Sequence, residues 1–88
     1  MDEHSKYIQD KVNEIIKSFY DKNGKVKKEF EKIFEEDAIN WGDLKCSLVK
    51  KCYVVYIEEA DPNCENLKEY IKRELSLEGI DIEVITYW

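Results

Sequence analysis

The stretch KCSLVKKCYVVYIEEADPNC (residues 45–64) holds all three cysteines of an 88-residue chain, and it follows directly on the point where the hydrophobic period changes. Before Asp43 the apolar residues recur at helical spacing, and after it they alternate. Leu44, Cys46 and Leu48 alternate with Lys45, Ser47 and Val49, which reads as a first strand. Cys52-Tyr53-Val54-Val55-Tyr56-Ile57 is rich in the β-branched and aromatic residues that suit a pleated surface, and reads as a second. With Lys50-Lys51 as a two-residue turn, Val49 faces Cys52, Leu48 faces Tyr53, Cys46 faces Val55 and Leu44 faces Ile57. One face then collects Leu44, Cys46, Leu48, Tyr53, Val55 and Ile57, and is apolar throughout, as register rules require. The other collects Lys45, Ser47, Val49, Cys52, Val54 and Tyr56. Tight hairpin turns prefer Asn-Gly to Lys-Lys, and a shift of one residue would turn Val54 and Tyr56 inward instead.

Downstream, Asp61-Pro62 has the chemistry of a helix entry, an N-cap followed by Pro at the first helical position. Leu67, Tyr70, Ile71 and Leu75 form the buried stripe of that helix, and Gly79 supplies its stop. Ile80, Ile82, Val84 and Trp88 then alternate with Asp81, Glu83, Ile85 and Tyr87, a third strand with one apolar face. A strand-helix-strand crossover joins parallel strands, so the last strand is expected beside residues 52–58, with the helix over the apolar face.

Upstream, Ile8, Val12, Ile15, Ile16 and Phe19 share one helix face, and Asp2 or Ser5 can cap its start. Asp21-Lys22-Asn23-Gly24 ends it, since Asn and Gly tolerate the left-handed conformation at a helix exit. Val26, Phe30, Ile33 and Phe34 mark a second helix, which fades into the turn signal Asn40-Trp41-Gly42-Asp43. The expected fold is α+β in the order ααββαβ. It is one domain over residues 1–88, with an antiparallel helical hairpin (1–42) followed by a ββαβ unit (43–88) that carries a three-stranded mixed sheet. Because the central strand is apolar on both faces, Val49, Val54, Tyr56, Ile85 and Tyr87 need a cover. The hairpin, a second copy or a foreign partner would supply it.

Charge narrows the function classes. Twenty acidic residues against fourteen Lys and Arg give −6, and neither half of the chain is basic. Unaided phosphate binding therefore starts from an electrostatic deficit. No apolar run approaches the roughly 20 residues that span a bilayer. The opening MDEHSKYIQD is the opposite of a secretory leader, and an odd number of loosely spaced cysteines points to a reducing cytoplasm.

No chemical constellation survives inspection. The cysteines are six and twelve residues apart and the only histidine is His4, whereas structural zinc sites pair ligands two to four residues apart. Cys64 at a helix start could be an activated thiol, but Asp61 and Glu65 crowd it with negative charge and no base adjoins it. DKNGKVKKEFEK (residues 21–32) begins like a calcium loop. Lys25, Val26 and Lys32 then occupy positions that require an oxygen ligand, Gly and Glu. The lysines of the same segment suggest a helix-turn-helix, but Glu29 and Glu31 dilute them and no Arg precedes Arg73, although Arg is the commonest reader of guanine. No phosphate loop, HExxH or GxSxG occurs. The expectation is a small, acidic, non-enzymatic protein-binding module with no cofactor, metal or catalytic residues. It could inhibit a partner by occupying that partner's basic nucleic-acid-binding groove. Glu35, Glu36, Asp37, Glu58, Glu59, Asp61, Glu65 and Glu69 would then stand in for phosphates, and Tyr56, Tyr87 and Trp88 would add aromatic contact. The alternative is a homodimeric structural or regulatory protein associating through its sheet face.

Overall fold

Helix α1 spans Glu3–Ser18 and buries Ser5, Ile8, Val12 and Ile16 on one side, followed by Phe19 just past its end. In the computed structural model, residues 3–36, 44–50, 54–58 and 60–87 are described. After α1 come a 3-10 turn (Lys28–Phe30), a short helix α2 (Glu31–Glu36), strands β1 (Lys45–Lys50) and β2 (Val54–Glu58), helix α3 (Glu65–Leu77) and strand β3 (Glu83–Tyr87). The fold is α+β, with the strands in spatial order β1-β2-β3, β1 antiparallel and β3 parallel to β2. The parallel placement of β3 follows from the α3 crossover, as the sequence led us to expect.

The helical hairpin is the first correction. Residues 21–27 do not form a simple helix-helix turn. They form a miniature hairpin in which Tyr20 bridges Val26, the Lys27 N–H donates to the Phe19 carbonyl at 2.7 Å and the Asp21 N–H to the Lys25 carbonyl at 2.7 Å. Gly24 takes the left-handed conformation at its tip, φ +78°, the usual closure of a three-residue hairpin loop. Pairing holds Lys25–Lys27 extended, so regular helix resumes only at Glu31 and α2 lasts six residues. Phe30 and Phe34 nevertheless reach the core. Phe19 packs edge-on to both, at 4.9 and 5.6 Å between ring centroids, and Tyr70 of α3 lies 5.5 Å from Phe30. This aromatic junction, with α2 packed on α3, replaces a long helix-helix seam.

The hairpin register is the second correction. Cys46 pairs with Ile57, but Leu48 pairs with Tyr56, Val49 with Val55 and Lys50 with Val54. Between Cys46 and Leu48, β1 carries one residue more than β2, a β-bulge at Ser47 that reverses the alternation downstream. Leu44 is buried and Cys46 packs against the core on one side of the bulge, and beyond it Val49, not Leu48, faces inward. Lys51, Cys52 and Tyr53 lie outside the described residues, as does the Asn40–Asp43 turn.

The entry of α3 is the third. Asp61-Pro62-Asn63-Cys64 is a β-turn closed by the Cys64 N–H on the Asp61 carbonyl at 3.0 Å, with the Asp61 carboxylate accepting the Asn63 N–H at 2.8 Å. Asp61 therefore caps a turn instead of the helix, and the first helical residue is Glu65. At the other end the expected stop is met. Gly79 has φ +77°, the Ile80 N–H reaches the Leu75 carbonyl at 2.9 Å and the Gly79 N–H the Ser76 carbonyl at 2.9 Å. That double closure is a Schellman motif.

Helix α1 packs on β1 and on α3, while α3 packs on β3, so both long helices lie on the same face of the sheet. Val49, Val55, Ile57, Val84 and Thr86 line that face beneath Ile8, Val12, Ile16, Leu67, Ile71 and Leu75. Burying each large aliphatic side chain contributes about 1.5–3 kcal/mol, which places most of the stability on this one side.

Candidate interaction surface

The opposite face of the sheet is left uncovered by α1, α2 and α3. Strand pairing arranges its side chains in rows across the three strands: Lys50–Val54–Glu83, then Leu48–Tyr56–Ile85, then Lys45–Glu58–Tyr87. Leu48 is 43% exposed and Ile85 42%, with Val54, Tyr56 and Tyr87 half-buried around them. Tyr56 and Tyr87 hold each other edge to face, 6.2 Å between centroids and 80° between planes. Aromatic pairs of this geometry are stiff, and they add about 0.5–1.5 kcal/mol beyond the area they bury. The face therefore presents an ordered apolar row with charge at its corners, Lys50 at one end of the first row and Glu83 at the other.

Of the residues singled out in the sequence, Tyr56, Tyr87 and Glu58 share this face. Leu48, placed inside by the regular alternation, belongs here as well, and so does Ile85. No sequence pattern could have moved Leu48, because the bulge that turns it outward shows only in the pairing. Val49 leaves the set that needs a cover, since it is 1% exposed in the core.

The remaining acids lie elsewhere. Asn66 Nδ2 donates to Glu36 Oε2 at 3.1 Å, which brings the end of α2 to the first turn of α3. That contact brings Glu36 and Glu65 to one shoulder of the molecule, with Glu35 next to Glu36 in α2 and Glu69 one turn further along α3. Lysines interleave with them: Lys68 lies 3.2 Å from Glu65, and Lys32 3.9 Å from Glu36. Such exposed pairs each contribute about 0–1 kcal/mol, and the shoulder is a mixed-charge surface. Asp61 is engaged in its turn, and its carbonyl accepts Thr86 Oγ1 at 2.7 Å. Asp37, Glu59 and Trp88 lie outside the described residues.

Other candidate chemistry disperses. Cys64 immediately precedes α3 with no exposed surface, out of reach of a substrate, and Cys46 packs at the core edge. Burial pushes the Cys46 thiol up to about 11, so it is a neutral thiol at physiological pH. Among the described residues, no three His, Cys, Asp or Glu side chains are placed to share a metal ion, and no helix is long and apolar enough to cross a membrane. A surface groove of about 490 Å³ runs beside α3, lined by Glu69, Lys72, Arg73, Ser76 and Asp81. Its two acids and two bases balance, and its side chains are open to water. Tyr70, at the aromatic junction, has its hydroxyl raised above the usual tyrosine range, first by burial and then by Glu74, whose carboxylate accepts its hydrogen bond at 3.2 Å.

Neither protein-family models, nor curated proteins, nor solved structures give a significant match to this chain.

Proposed function

We propose that the protein is a non-enzymatic protein-binding module whose recognition surface is the uncovered sheet face. The exposed cross-strand row Leu48–Tyr56–Ile85 carries this reading. An apolar row exposed across three paired strands offers a contact surface for a partner. The flanking tyrosines supply the rigid aromatic area on which interface cores rely.

The test is affinity capture from native lysate with wild type and with Tyr56→Lys and Ile85→Lys variants, each checked for retained helical circular dichroism. The reading expects a specific partner to be held by wild type and lost by both folded variants. Equal retention by all three would remove the sheet face from consideration.

The net acidity of the chain favours a second reading of the partner. A net charge of −6 suits a partner with a basic nucleic-acid-binding groove, for which Glu35, Glu36, Glu65 and Glu69 would stand in for phosphates. Binding of that kind weakens steeply with salt. Capture that is indifferent to ionic strength would discard it.

A further inference from the structure

Resting on the sheet-face reading, we propose that the occupant of this face is a second copy of the chain, stacked face to face about a two-fold axis parallel to β2. The argument is the arrangement of charge within the rows. Such an axis lays β1 of one copy over β3 of the other and β2 over β2. Lys50 then stands over Glu83 of the second copy, and by symmetry the contact is made twice. Leu48 lies over Ile85, Val54 over Val54 and Tyr56 over Tyr56, so the apolar centre meets itself. Packed sheets sit about 10 Å apart, a gap that a lysine and a glutamate side chain can close together. In the last row Glu58 meets its own copy, but Lys45 is its cross-strand partner and moderates the repulsion.

The competing two-fold, perpendicular to the strands, also sets the apolar row on itself and separates Glu58 from its own copy, but it loses the Lys50–Glu83 pair. It puts Lys50 over Lys45 and Val54 over Glu58, opposing like charges and setting a carboxylate against an apolar side chain. Lys50 and Glu83 at opposite ends of one row therefore choose the axis. Glu83 also lies 3.4 Å from Lys72, at the strand edge. In the dimer Glu83 exchanges Lys72 of α3 for Lys50 of the second copy, a change that its 72% side-chain exposure permits.

The patch is small. Three strands of five residues cover about 14 by 17 Å, below the area of a standard stable interface, so the expected dimer is weak. The net charge of −6 on each copy opposes it, but at physiological salt that repulsion is screened beyond about 8 Å.

The experiment is equilibrium sedimentation of the whole chain at physiological salt, up to roughly millimolar concentration, where weak complexes still form. Wild type should self-associate to a dimer. Lys50→Glu and Glu83→Lys should each weaken it roughly tenfold, since each reversal creates two repulsive contacts. The double variant K50E/E83K should restore it, because the swapped charges face each other again across the axis. Wild type that stays monomeric at the highest concentration overturns the inference. So does a dimer that is indifferent to the single reversals or not rescued by the double one. Neither result touches the broader sheet-face reading, which the Tyr56→Lys and Ile85→Lys capture decides.

Discussion

Thr86 Oγ1 donates a 2.7 Å hydrogen bond to the Asp61 carbonyl, across the corner where β2 leaves the sheet for α3. The Ala60 N–H closes the same corner on the Tyr87 carbonyl at 3.0 Å. Thr86 is 2% exposed on the core face of β3, so its hydroxyl is a buried polar group with a defined partner. The bond ties the end of the sheet to the turn that starts α3.

Thr86→Val keeps the side-chain shape and removes the donor. The Asp61 carbonyl loses a partner, and the expected cost is about 1 kcal/mol. Urea unfolding should show a lower midpoint at unchanged slope. An unaltered midpoint would mean that water replaces the hydroxyl without loss.

Phe34 has no exposed surface and meets both Phe19 and Tyr20 edge-on, joining α2 to the end of α1. Phe34→Ala should cost about 3–5 kcal/mol, a large part of the roughly 5–15 kcal/mol that holds a domain together. Phe34→Leu should cost less, roughly 1–3 kcal/mol. Thermal unfolding followed by near-ultraviolet circular dichroism would rank wild type, Leu and Ala in that order. Equal stability of all three would show that α2 is not part of the cooperative unit.

Asp21 is held below the usual carboxylate range, first by the Lys25 N–H at 3.0 Å and then by the Asn23 N–H at 2.8 Å. A carboxylate more acidic in the folded chain than in the unfolded one stabilises the fold above its unfolded value. That stabilisation is lost as the pH falls through its folded value. Asp21→Asn keeps an acceptor oxygen but cannot ionise. The stability gap between wild type and variant should be present at neutral pH and close on acidification. A gap independent of pH would assign the effect to loop geometry.

Cys46 is a neutral thiol because burial pushes it up to about 11, and Cys64 has no exposed surface. In a Cys52→Ser variant both should label slowly with a thiol reagent at neutral pH, and quickly once denatured. Fast native labelling of Cys64 would reopen the case for a reactive thiol.

The helical stripes of α1 and α3, the Gly79 stop and the parallel return of β3 could all be read from residue spacing, because each follows from local periodicity or from crossover geometry. The hairpin register could not. Leu44, Cys46 and Leu48 alternate regularly, and nothing in that spacing announces an extra residue at Ser47. Only pairing against β2 reveals it, by seating Val49 opposite Val55. The same limit hid the brevity of α2, where the stripe of Val26, Phe30, Ile33 and Phe34 reads as helix. A backbone bridge from Tyr20 to Val26 keeps its first turn extended.

The candidate site divides in the same way. By itself the sequence determined that the chain is acidic, that it has more apolar strand surface than one sheet face can use, and that its cysteines have no metal-site spacing. Tertiary structure decided where the surplus went. By placing α1 beside α3 on one face, it buried Val49 and left Leu48, Tyr56 and Ile85 aligned on the other. The physical reason is that periodicity records which residues are apolar, whereas burial depends on which surfaces the helices reach first.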